Sequence, residues 1–259
     1  MIIVYAGAKA QEMPERTATA AILVVGNEIL TGKVQETNAR WLSEQLFELG
    51  VKLERILVVP DEVEVIADAV RSLRAGVDHL FTSGGVGPTH DDVTIAGVAR
   101  ALGRKVVRVE PIASLLRTHY GERCSDDVLR MAEAPEGFAL LEGAGERHWP
   151  VLSVENVVIL PGVPEIFRRK FGSIRERFRS TPFSLSVLYT SMDEALLAPH
   201  LNETIRRHPA VAVGSYPTFT DPRYKVKVTL ESKDAAAVSA ALAFLQSLLP
   251  AGTIVAPPV

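Results

Sequence analysis

FTSGGVGPTHDDVT, residues Phe81 to Thr94, runs the end of an apolar strand into a glycine turn, a proline, two adjacent carboxylates and the start of a helix. That order brings backbone N–H donors, hydroxyls and negative charge within a few residues of one another. It does so at a strand-to-helix corner, the place where open α/β sheets bind ligands.

Outward from this corner, short apolar runs alternate with helical periodicity. AAILVVG (Ala20 to Gly26) carries no polar side chain and reads as a strand buried on both faces. Asn38 then caps a helix with Trp41, Leu42, Leu46 and Leu49 on one stripe and Gly50 at its close. LERILVVP (Leu53 to Pro60) is the second strand. Asp61, with Glu64 three residues on, has capping-box spacing for a helix striped by Ile66, Ala69, Val70 and Leu73. HLFTS is the third strand, and a helix is predicted from Asp91 or Asp92 through Val98 and Leu102 to Gly103. Residues 104–149, punctuated by Pro135, Gly137, Gly143 and Gly145, read as loops around one helix. VENVVILPGVP (Val154 to Pro164) restores a buried strand, and an arginine-rich helix follows from Glu165 to Phe178. Such alternation is the signature of βαβ units and predicts a doubly wound, mostly parallel α/β sheet.

Ser180, Thr181 and Pro182 read as a linker, because the pattern changes after them. SLSVLYT, a helix over Asp193 to Arg207, VAVGSYP, YKVKVTLES, a helix over Ala235 to Leu249 and TIVA follow the β-α-β-β-α-β order of a small ferredoxin-like α/β domain. The expected organisation is an N-terminal extension (1–17), an α/β domain (18–179) and the smaller domain (183–259).

Bulk properties narrow the function classes. With 28 basic and 31 acidic side chains the net charge is −3, which provides no field for nucleic acid. One cysteine, Cys124, allows no internal disulfide, and no Cys/His cluster has zinc-site spacing. No apolar run approaches the roughly 18 residues of a membrane span. A cytoplasmic protein that binds a small molecule, rather than nucleic acid or a membrane, is the expectation.

Turns at Gly26 to Thr31, Pro60 with Asp61, Ser83 to Asp92 and Leu160 to Pro164 fall at the carboxyl ends of predicted parallel strands, so they open onto one edge of the sheet. Gly84, Gly85 and Gly87 permit a turn whose amides face an anion, with Thr89 adding a hydroxyl and Pro161 and Gly162 facing them from the last turn. Asp91 and Asp92 beside a phosphate nest would repel the ligand unless a divalent cation lies between, although one of them can equally cap the helix. Asp61 has the same two readings. Asn27, Glu28 and Asn38 form a polar cluster suited to a ribose or pterin edge, or only to capping and turning. His90 can serve as a general acid or base, and is explained as well by a solvated loop. Arg168, Arg169, Lys170, Arg175, Arg177 and Arg179 read as a solvated helix face whose first members lie near enough to the PGVPE turn to reach a phosphate.

In their order and spacing, GNEILTGKVQETNARWL, VVPDEVEVI, TSGGVGPTHDDVT and LPGVPEIFRRKF resemble the molybdopterin-binding-like (MoaB/Mog) family of molybdenum-cofactor proteins and CinA. VVPDE, GGVGPTHDDVT, GSYP and YKVKVTLES bring the chain nearer still to the molybdopterin-binding-like region of eukaryotic FAD synthase. The resemblance implies divalent-metal-dependent hydrolysis of ADP-ribose or of FAD, and carries Asp61, Asp91, Asp92 and Glu28 over as the acidic residues of interest. It also implies a homo-oligomer. Asn27 stands where the molybdenum-cofactor proteins usually carry an acid, and neither a deamidase nor an adenylyltransferase domain is present, so neither activity is expected.

The resulting expectation is a pyrophosphate hydrolase that releases AMP from a nucleotide conjugate such as FAD or ADP-ribose. Asp92, Asp91 and Asp61 are its catalytic carboxylates, Asp91 and Asp92 hold Mg²⁺, Mn²⁺ or Co²⁺, and Gly84, Gly85, Gly87, Thr89, Glu28, Asn38, Pro161 and Gly162 bind the ligand. A non-catalytic nucleotide or molybdopterin module and a molybdopterin adenylyltransferase are the alternatives.

Overall fold

The apolar run at Ala20 becomes the strand on which the larger unit is built. In the computed structural model, which describes residues 16–143 and 149–256, this run is β1 (Thr19–Val25), followed by the single-turn helix α1 (Asn27–Leu30) and by α2 (Asn38–Glu48). Next come β2 (Lys52–Val59), α3 (Val63–Arg74), β3 (His79–Ser83), α4 (Thr94–Ala101), β4 (Val106–Arg108), α5 (Glu110–Tyr120), α6 (Asp126–Arg130), β5 (Glu133–Pro135) and β6 (Ala139–Leu141). β7 (Val151–Val154), β8 (Val157–Leu160) and α7 (Pro164–Ile174) complete the unit, which ends at Ser180. Nearly all of the N-terminal extension, along with Gly145, lies outside the described residues.

The six-stranded sheet has the order β2-β1-β3-β8-β7-β6, parallel from β2 through β8 and antiparallel over the last two pairs. Strand alternation divides β1 between two cores. Ala20, Ile22 and Val24 join Leu42, Leu46, Phe81, Phe167 and Phe171 on one face, and Ala21, Leu23 and Val25 join Ile66, Val70, Leu80 and Val98 on the other. Helices on both faces are why β1 has no polar residue from Ala20 to Val25. All four turns named above therefore lie at the same end of parallel strands.

Three sequence expectations are corrected here. VENVVILPGVP is not one strand: Glu155 and Asn156 form a two-residue turn joining β7 to β8, with Val154 paired to Val157 and Glu155 at φ +51°. Arg74 and Arg104 hold the Glu155 carboxylate there, the latter at 2.9 Å. Residues 104–143 are not loops around one helix. They hold α5, α6 and a β4–β5 pair around a separate apolar cluster that includes Val109, Ile112, Leu116, Leu129 and Ala134. Elements of three to five residues are too short to show a period. Finally, α4 begins at Thr94 rather than at either aspartate.

The second unit, Thr181–Val259, comprises β9 (Ser184–Thr190), α8 (Glu194–Arg207), β10 (Ala212–Pro217), β11 (Val226–Ser232), α9 (Ala235–Leu248) and β12 (Ile254–Val255). Its antiparallel sheet has the order β10-β11-β9-β12, the split arrangement in which β11 lies between the two strands of the first β-α-β unit. Leu188, Val226, Val228 and Leu230 pack against Leu197, Leu201, Val238 and Leu245, and the Asp234 carboxylate caps α9 by accepting from the Ala236 and Ala237 N–H groups. Among the described residues, no helix is long and apolar enough to cross a membrane.

Candidate functional site

The corners at the carboxyl end of the sheet are tied to one another by polar contacts. Gly26 N–H donates to the Val59 carbonyl at 3.1 Å, and Asn27 N–H donates to Asp61 Oδ2 at 2.7 Å. Asp61 therefore pins α1 to the end of β2 instead of capping α3, whose N-cap residue, Glu62, makes no side-chain bond. Asn38 does not cap α2 either. Glu36 Oε1 accepts the Ala39 N–H at 2.8 Å, which frees Asn38 Nδ2 to donate to Ser83 Oγ at 3.0 Å and to the Gly162 carbonyl at 2.7 Å. One buried amide thus joins α2, the end of β3 and the turn before α7.

The glycines permit this convergence. At Gly84, φ is +98° and a Cβ would stand 2.2 Å from the Val25 carbonyl oxygen; a Cβ on Gly162 would meet Gly84 Cα at 3.2 Å. Gly84 N–H is taken by the Leu160 carbonyl at 3.3 Å, so it is not available to a ligand. The Gly85, Val86 and Gly87 N–H groups have no partner among the described residues. Thr94 sets the other side of the turn, with its hydroxyl on the Gly84 carbonyl at 2.8 Å and its N–H on the Gly85 carbonyl at 2.9 Å. Those two bonds start α4 where they do.

Asp92 is held from the loop that precedes it. Its Oδ2 accepts the Thr89 N–H at 2.8 Å and the Thr89 hydroxyl, and it lies so close to Gly87 that a Cβ there would be 2.6 Å away. Asp91 is exposed. The neighbouring Thr89 hydroxyl, then Asp91's own backbone N–H and His90, hold its carboxyl below the usual carboxylate range, so it is ionised at neutral pH. His90 is also exposed, 4.0 Å from Asp91.

A cleft of about 860 Å³ opens at this edge. Glu28, Gly84, Gly85, Gly87, Asp92, Pro161 and Gly162 line it. Asp61, Asn38 and Thr89 are absent from the lining and brace the residues that form it, while Asp91 faces solvent beside it. Cations also line the cleft. Arg130 donates from α6 to the Thr89 carbonyl at 3.0 Å, and Arg169 and Lys170 project from α7. Lys170 Nζ donates to the Pro150 carbonyl at 2.8 Å, and burial, followed by the charge of Arg169, lowers its pKa to about 8. Lys170 is thus not part of a solvated face, whereas Arg169 is exposed as expected and also borders the cleft. Arg130 and the apolar wall formed by Ile112, Tyr120 and Trp149 had no sequence signal beyond the Ile112/Leu116 spacing.

Among the described residues, no three His, Cys, Asp or Glu side chains gather as a metal cluster. Three carboxylates line the cleft, Glu28, Asp92 and Glu133, along with amides open to an anion; Asp92 and Glu28 are a donor set that fits a divalent ion completed by ligand phosphate and water.

Residues 21–179 match the family described as probable molybdopterin binding domain, and residues 182–258 match the FAD synthase middle domain. The chain belongs to the molybdopterin-binding domain family. A protein from Archaeoglobus fulgidus is 35% identical over 231 residues, covering 88% of this chain and 96% of its own length. A probable FAD synthase from Caenorhabditis briggsae is 32% identical over 264 residues, or 91% of this chain and 50% of its own, so the chain spans about half of that relative. The crystal structure of CinA from Thermoplasma acidophilum, 30% identical, matches with a TM-score of 0.57 over 63% of this chain and 99% of its own.

Proposed function

We propose that the cleft binds a nucleotide conjugate through its diphosphate and hydrolyses the pyrophosphate bond, releasing AMP from FAD or ADP-ribose. The observation that carries this reading is the placement of Asp92 against Gly87, in a cleft also lined by the Gly85 to Gly87 turn with its open amides and by Lys170. The relatives named FAD synthase support a ligand with a pyrophosphate centre.

Asp92, with Glu28 in the cleft and Asp91 beside it, would hold Mg²⁺, Mn²⁺ or Co²⁺. When bound, such an ion screens these carboxylates from the phosphates and lowers the pKa of a coordinated water. The chain supplies the remainder. The Gly85, Val86 and Gly87 amides donate to non-bridging oxygens, where charge grows during displacement. Arg169 and Lys170 add positive charge from the α7 side, and Thr89 fixes the Asp92 rotamer through two donors to Oδ2.

Purified protein incubated with FAD or ADP-ribose and each of the three metals should release AMP. Asp92→Ala should lower that rate by at least about 100-fold, on the scale of losing a group that acts in the transition state, with an unchanged far-ultraviolet spectrum. Asp91→Ala should lower it less, because Asp91 lies outside the lining. If both variants hydrolyse like the parent, the reading fails. Saturable binding of FAD without AMP would instead favour a non-catalytic module, a reading in keeping with the described residues gathering no three His, Cys, Asp or Glu side chains as a metal cluster.

A further inference from the structure

A diphosphate on three amides fills a small part of 860 Å³. Much of the remaining wall is apolar and aromatic, and it comes from the segment between β4 and β7: Ile112, Leu116 and Tyr120 of α5, Met131 after α6, and Trp149. Three buried positions on α5, Ile112, Ala113 and Leu116, and the α6 side chain Leu129 anchor that segment to its own cluster, so the wall is held independently of any ligand. The His119 ring stands perpendicular to both neighbouring aromatics, 4.9 Å from Tyr120 at 83° and 6.2 Å from Trp149 at 87°. Edge-to-face contacts of this kind set ring orientation before anything binds.

Two cations couple this wall to the phosphate corner. Arg130 reaches from α6 to the Thr89 carbonyl, one residue beyond Pro88 of the glycine turn, and Lys170 reaches from α7 to the carbonyl of Pro150, the residue next to Trp149. The anion site and the aromatic wall are therefore held at a fixed separation by side chains that also line the cleft.

We infer that Trp149 and Tyr120 form a subsite for a flat heteroaromatic ring joined to the diphosphate, and that stacking there supplies a large part of the affinity for the nucleotide conjugate. The inference rests on the diphosphate reading of the glycine turn. Its ligand chemistry is a planar ring one linker away from phosphate, supplied by either the adenine or the isoalloxazine end of a dinucleotide. Stacking tolerates either ring because each presents a π-face.

The titrations use the full chain with Mg²⁺ present, since FMN and AMP have no pyrophosphate bond to cleave, and the FAD dialysis uses the Asp92→Ala background, in which turnover does not consume the ligand. The sequence has two tryptophans, and Trp41 packs edge-on to Phe167 and Phe171 in the core, so Trp41→Phe leaves Trp149 as the sole indole reporter. Titration with FMN and with AMP should change Trp149 emission saturably in at least one arm, and that arm identifies the ring; inorganic pyrophosphate should leave it unchanged. Trp149→Ala should weaken FAD binding, measured by equilibrium dialysis, by about 5- to 150-fold, the range to which base stacking corresponds. Trp149→Phe should recover most of the loss, and thermal melting of each variant checks folding. If neither nucleotide perturbs Trp149, or if folded Trp149→Ala binds FAD as the parent does, the subsite is wrong. Ring binding without AMP release from FAD would leave the subsite standing and remove the hydrolase reading; AMP release with unchanged KM in Trp149→Ala would do the reverse.

Discussion

Lys170 shows how one residue changes meaning between sequence and structure. In the run Arg168-Arg169-Lys170 it is one cation among many on a helix. Folding half-buries it at the cleft, bonded to Pro150, with its pKa lowered to about 8 from 10.5. The unfolded chain therefore binds a proton between pH 8 and 10.5 that the folded chain has released, so this residue makes stability rise with pH across that window. Urea midpoints at pH 8 and pH 10 should show a gain in the parent that Lys170→Met lacks, the titration of other groups cancelling in the difference. An anionic ligand should also bind less tightly as pH passes about 8, and this dependence should be weaker in Lys170→Met. Asp61 and Asn38 make the same point for hydrogen bonds. Their spacings read as helix caps, yet each serves a partner from a distant corner, because a tertiary donor or acceptor 34 or 124 residues away competes for the same side chain.

At the scale of elements, long strands and helices were legible and short ones were not. β3 has the bounds read from HLFTS, and α2 and α3 carry the predicted stripes, because a run with one buried face repeats long enough to show its period. The stretch from β4 to β6 has elements of three to five residues apart from α5, and glycines and prolines mask their pattern. That stretch supplies the aromatic wall, so half of the cleft was illegible while the phosphate corner was plain. The corner itself depends on the approach of β1, β3 and the turn after β8. Gly84→Ala should cost about 2–4 kcal/mol, combining positive-φ strain with a Cβ driven into the Val25 carbonyl. Urea unfolding would measure it, and a loss below about 0.5 kcal/mol, the range of neutral surface changes, would show that the corner relaxes freely.

At the scale of the whole molecule, the chain divides at Ser180 into two units that each enclose their own core. Every residue lining the cleft lies between Glu28 and Lys170. Residues 1–180 produced alone should therefore fold cooperatively and bind pyrophosphate and nucleotide with the affinity of the full chain, as calorimetry and thermal melting would report. A fragment that folds but binds more than about tenfold more weakly, a difference of 1.4 kcal/mol, would give the second unit a part in the site.

By itself, the sequence determined the fold class, the order of the longer elements of the first unit and of the elements of the second, and the corner where glycine amides and carboxylates meet. These follow from periodicity and turn chemistry, which act over a few residues. Tertiary structure alone decided that Asp92 and not Asp91 lines the cleft, that Gly84's amide is spent within the chain, and that Lys170 and Trp149 face the same space. Each of those outcomes depends on which distant backbone or side chain arrives as a partner, and local sequence carries no record of distances across a packed sheet.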